Sequence, residues 1–119
     1  MGKLHIKSDL SHAIEAFNTH DRVIPIRLDK EQISMLMAMI GQFQIQLSKG
    51  DLELEAIIFR EVQRILWKKY NIISTRANID FTPSQARTLF IWMNDFTFDH
   101  PLQQSFSCKL ISEIYKQVI

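Results

Sequence analysis

Cysteine is nearly absent from this chain: Cys108 stands alone among 119 residues. No intrachain disulfide can form, which removes the small secreted scaffolds that depend on such bridges. Glycine is almost as rare. Gly2, Gly41 and Gly50 are the three present, and they lie too far apart to form the clustered loop that cradles a phosphate. Neither sign of charge dominates, with 14 Lys and Arg against 13 Asp and Glu and a net charge of +1. Total charge therefore does not mark the chain for nucleic acid or an anionic membrane, and only a local patch can. Long apolar runs are missing too. The longest, Met35 to Ile40, is far too short to span a bilayer. The opening M-G-K-L-H-I-K-S has basic residues but no apolar h-region, and Ile6 stands where a myristoylation signal needs Ser or Thr. These absences lead us to expect a cytoplasmic protein with no membrane attachment.

What remains is an ordinary globular composition, 46% apolar and 23% charged. A chain of this length buries roughly two thirds of the surface its unfolded form exposes, enough to fold without a metal or a disulfide. The expectation is a single helical domain over residues 1–119.

Read along its length, the chain is mainly helical, with about five helices and short extended segments. Lys3-Leu4-His5-Ile6-Lys7 alternates like a half-buried strand. Ser8 or Asp9 then caps a short helix carrying Leu10, Ala13, Ile14 and Phe17. Val23 to Leu28 is extended, with Pro25 confining it to an edge. Asp29 followed by Gln32 makes a capping-box pattern that opens a helix to about Leu47. Its expected core stripe is Ile33, Leu36, Met37, Ile40, Phe43 and Leu47. Gly50 and Asp51 mark a turn. A helix from Leu52 to Tyr70 follows, with Leu54, Ile57, Ile58, Ile65 and Leu66 on one face. Glu53 and Glu55 in its first turn and Lys68 and Lys69 in its last suit the helix dipole. Residues 71–78 read as a loop and Ile79-Asp80-Phe81 as a second extended piece. Thr82-Pro83 then starts a helix to about Phe96 that buries Ala86, Leu89, Phe90 and Met93. Asp99-His100-Pro101 opens the last helix, with Phe106, Leu110, Ile114 and Val118 in register.

An internal echo runs through this pattern. At an offset of 53 residues Ile26 matches Ile79, Gln32 matches Gln85, Leu36 matches Leu89 and Phe43 matches Phe96. Each copy reads as extended segment, cap, helix. The units would be 23–70 and 77–119, tandem helical hairpins related by a pseudo-two-fold axis. Four identities across residues 26–43 are a weak signal, because strand, cap and helix with Gln at the third position is common local grammar.

Chemistry leaves little trace. His12 and Glu15 are three apart on a helix, but a metal site needs three or four converging ligands. Ser107-Cys108 has neither a histidine near it in sequence nor a glycine elbow. No metal, cofactor or catalytic set is expected, and the chain is read as a non-enzyme. Two binding surfaces compete. Met35, Met39, Trp92 and Phe96 fall off or beside the expected core stripes, and Met and Trp are favoured at binding surfaces. They make a candidate interface for a protein partner or for a second copy in a homodimer. Arg60, Arg64 and Lys68, spaced i, i+4, i+8 with Trp67 nearby, make a candidate basic edge for nucleic acid. Near-neutral net charge ranks the nucleic-acid reading second.

Overall fold

The computed structural model describes residues 7–47 and 53–118. Among these residues the chain is mainly α: five helices and one two-stranded antiparallel sheet. The elements run α1 (Lys7–Thr19), β1 (Ile24–Asp29), α2 (Lys30–Leu47), α3 (Glu53–Ile72), β2 (Arg76–Phe81), α4 (Pro83–Asp95) and α5 (Pro101–Val118). The order strand, helix, helix thus occurs twice. Among the described residues no helix is long and apolar enough to cross a membrane. The strand expected at Lys3–Lys7 and the Gly50–Asp51 turn lie outside the described residues, apart from Lys7, which begins α1. Ser8 and Asp9 fall inside α1 rather than capping it, since the helix starts at Lys7.

The chain clusters into two compact units. One is the continuous stretch Pro25–Asp80; the other joins Met1–Ile24 to Phe81–Ile119. In the continuous unit β1 alternates, with Ile26 and Leu28 buried and Arg27 exposed. Pro25, which has no N–H to give a ladder, sits exposed among them. Asp29 ends the strand and caps α2. Its backbone N–H donates to Gln32 Oε1 at 3.0 Å, and the Gln32 N–H donates to Asp29 Oδ1 at 2.8 Å. This is the reciprocal box, with Asp in place of Ser or Thr.

β2 begins at Arg76, three residues before the extended piece visible in the sequence. Arg76, Ala77 and Asn78 carry no strand-like apolar alternation; pairing with β1 makes them extended. The Lys30 N–H donates to the Thr75 carbonyl at 3.1 Å, closing the ribbon where the strand becomes α2. The expected loop 71–78 shrinks to residues 73–75, because α3 continues to Ile72.

Helices α2 and α3 pack together along their lengths. Phe43 and Phe59 meet at 5.4 Å between ring centroids, and Lys30 Nζ lies 4.8 Å from the Tyr70 ring centroid. Gln63 Nε2 donates to the Met37 carbonyl at 3.0 Å, while Gln63 Oε1 is buried without a partner.

In the other unit α1, α4 and α5 pack pairwise around Phe90. Its ring lies 5.3 Å from Phe17 and is stacked 6.2 Å from Tyr115. Thr82 caps α4 with a full capping box to Gln85, and Pro83 occupies the first turn, where its missing N–H costs nothing. His100 Nδ1 accepts from the Leu102 N–H at 3.2 Å and holds the start of α5. Phe106, Leu110 and Ile114 are buried as expected, joined by Ile111; Cys108 is half-buried.

Candidate functional site

The two candidate surfaces fare differently. On α2 the buried residues are Ile33, Leu36, Met39, Ile40, Phe43 and Leu47. Met39 is fully buried and is core, not interface. Helix phase alone does not separate it from Met37: at about 100° per residue the two fall about 80° to either side of the centre of the other five buried residues. The fold covers the side that carries Met39, whereas Met37 is half-buried, and so is Met35. Trp92 and Phe96 are half-buried on and just after α4, with the Phe96 ring 4.8 Å from Phe98. Met35 and Met39 belong to one unit, Trp92 and Phe96 to the other.

The candidate basic edge lies on α3. On α3 the fully buried side chains are Phe59, Val62 and Leu66, a stripe of i, i+3, i+7 that turns toward the protein interior. Everything about 110–170° away from its centre turns outward. That includes Leu54 and Ile57, which the sequence suggested were core; they are 66% and 48% exposed. It also includes Arg60, Arg64 and Lys68, all exposed. Trp67 is 59% exposed and Ile72 75%. Together with Glu61 and Asn71 these side chains occupy an arc of about 140°. Four of the seven exposed large apolar side chains among the described residues, Leu54, Ile57, Trp67 and Ile72, lie on this one helix. The missed members, Leu54 and Ile57, were findable from sequence by taking helix phase from Phe59, Val62 and Leu66 instead of from the broad apolar arc.

Among the described residues no ion pair to these cations is seen. Arg60 folds back to its own helix, its Nε donating to the Ala56 carbonyl at 3.4 Å. Arg64 and Lys68 make no hydrogen bond or ion pair among the described residues. Like charges one turn apart repel slightly, and a solvated helix face would relieve that by interleaving acids. Glu61 is the one acid among the side chains described on this arc; Glu53, five turns before Asn71, shares its direction along the helix, and its side chain lies outside the described residues.

The remaining features bring no chemistry together. A cleft of about 370 Å³ in the discontinuous unit is lined by Phe17, Asn18, His20, Pro83, Ser84 and Arg87. His20, Ser84 and Arg87 make no hydrogen bond to one another. A smaller one of about 200 Å³ lies beside Gln44, Leu47, Ala56 and Arg60. His12 and Glu15 are both exposed on α1, and no group of three potential metal ligands converges among the described residues. Compared with known proteins, the chain matches no family model, no curated protein and no solved structure.

Proposed function

We propose that this protein is a non-enzymatic interaction module that binds a protein partner through the outward side of α3. One observation carries the reading: exposed Leu54, Ile57, Trp67 and Ile72 share an arc with Arg60, Arg64 and Lys68 on a single helix. Isolated exposed apolar residues are common on any surface and mean nothing. Apolar residues concentrated on one element and edged by charge are the composition of a binding patch, and Trp and Arg are the residues most enriched at interface hot spots. The lone cysteine suits a reducing compartment, so we place the module in the cytoplasm.

The second reading, a nucleic-acid-associated regulator using Arg60, Arg64 and Lys68, is favoured by the two unpaired cations and by Trp67 beside them, since an exposed aromatic can stack a base. It ranks lower. Phosphate contacts would leave Leu54, Ile57 and Ile72 in water, and a net charge of +1 supplies little long-range attraction.

Ile57→Asp with Trp67→Asp separates the readings. Both sites are exposed, so the fold is retained. Tagged wild type and variant are compared for the proteins they retain in host cells. The proposal expects specific partners lost with the variant, and identical recovery by both forms contradicts it. A single-stranded oligonucleotide bound at low salt, with a steep salt slope that flattens by about one per Arg removed, would instead establish the second reading.

A further inference from the structure

The outward side of α3 has an axial order as well as a composition. Leu54 and Ile57 stand at one end, Arg60, Arg64 and Lys68 run through the middle with Trp67 beside them, and Ile72 stands at the other end. The stretch from Leu54 to Ile72 covers about 27 Å at the helical rise. Resting on the interaction reading above, we infer that the partner surface is an amphipathic helix of a different protein, apolar at both ends and acidic through its middle.

Three features select this occupant. The two ends need burial: Leu54 is 66% and Ile72 75% exposed, and only apolar atoms of a partner relieve that. The middle needs anions. Arg64 and Lys68 have no partner among the described residues, and Arg60, Arg64 and Lys68 repeat once per helical turn. A partner helix with Asp or Glu at i, i+4 and i+8 repeats at the same interval. Its own i±3 and i±4 ridges also fit between the rows of α3 side chains, the usual way two helices pack.

The third feature excludes a second copy of this chain. A two-fold contact brings the same patch against itself. Centred on this face, it would set Arg60, Arg64 and Lys68 against their own counterparts, and like charges facing each other across an interface are strongly selected against. A homodimer is therefore not formed through α3; the one expected from sequence used Met35, Met39, Trp92 and Phe96 instead. In the complex the apolar ends carry affinity, while the charged middle sets register and rejects wrong partners.

The test uses designed peptides on the full chain with Trp92→Phe, so that Trp67 is the sole tryptophan and is excited apart from the two tyrosines. One helical peptide carries Leu at both ends and Glu at i, i+4 and i+8 in the middle; a second is identical except for Lys in place of Glu. The Trp67 emission should report the acidic peptide binding about tenfold or more tightly than the basic one. Arg60→Glu with Arg64→Glu and Lys68→Glu should invert that preference. Equal binding of both peptides overturns the acidic-partner inference and leaves α3 as an apolar interaction surface. No binding of either peptide at about 1 mM also overturns the inference. Acidic-peptide binding that survives Ile57→Asp with Trp67→Asp, measured by calorimetry because this variant lacks the reporting tryptophan, would place the contact elsewhere and refute the interaction reading itself. Tighter binding of a single-stranded oligonucleotide than of either peptide, lost on charge reversal, overturns both.

Discussion

Met39→Ala tests which flank of the α2 stripe is packed inside the fold. Met39 is fully buried, whereas Met35, one turn earlier, is half-buried. Truncating a buried Met to Ala removes about 2 kcal/mol of favourable transfer from water. If the surroundings do not collapse it also leaves a void of about 75 Å³, costing about 1.8 kcal/mol at the rate found for core cavities. The expected loss is therefore about 3–4 kcal/mol, within the usual range for Met→Ala in a core. That is a large share of a typical domain stability of about 5–15 kcal/mol. Met35→Ala should cost less than about 1 kcal/mol, as substitutions away from a packed core do. Urea unfolding of both variants would measure the contrast, followed in the transition that reports the Pro25–Asp80 unit. Met39→Ala should lower the midpoint by roughly 2 M and Met35→Ala by a few tenths. Equal small losses for the two variants would refute the burial of Met39 and return it to the surface.

Further outcomes follow from the same contacts. Asp29→Ala and Thr82→Ala should each cost about 0.5–2 kcal/mol in a denaturant melt, because each leaves an N-terminal backbone donor unpaired; no loss from either would contradict the capping boxes. Gln63→Met should be neutral or stabilise by up to about 1 kcal/mol, since it exchanges one hydrogen bond to Met37 for the removal of a buried acceptor that has none. A loss above about 2 kcal/mol would mean that Gln63 Oε1 is satisfied in solution. Light scattering should give a monomer of 14.0 kDa at high micromolar concentration. A dimer abolished by Ile57→Asp with Trp67→Asp would contradict the charge argument against self-pairing.

Much of the architecture was legible because its signals are local. Asp29 with Gln32 and Thr82 with Gln85 fix two helix starts through side chains three residues apart, and both boxes form. Ala86, Leu89, Phe90 and Met93 lie on one narrow stripe, and all are buried. Legibility failed where the determinant was distant or the stripe broad. Arg76 to Asn78 become strand only by pairing with β1, a contact no local pattern encodes. On α3, apolar residues spread over more than half the helix circumference, so periodicity alone did not say which part faces inward. Reading Leu54 and Ile57 as core hid the apolar half of the surface, whereas the i, i+4, i+8 spacing of Arg60, Arg64 and Lys68 set them on one helix edge, and all three are exposed. On α2 the same ambiguity exchanged Met37 for Met39.

The most direct measurement of the central claim is photo-crosslinking in host cells from single sites on the intact protein. A photoreactive residue replaces Trp67 in one form and Glu113, exposed on α5, in another. The account predicts a discrete protein adduct from position 67 and none from position 113, with the adduct lost when Arg60, Arg64 and Lys68 are reversed to Glu. The same adduct from both positions, or none from position 67, would contradict it.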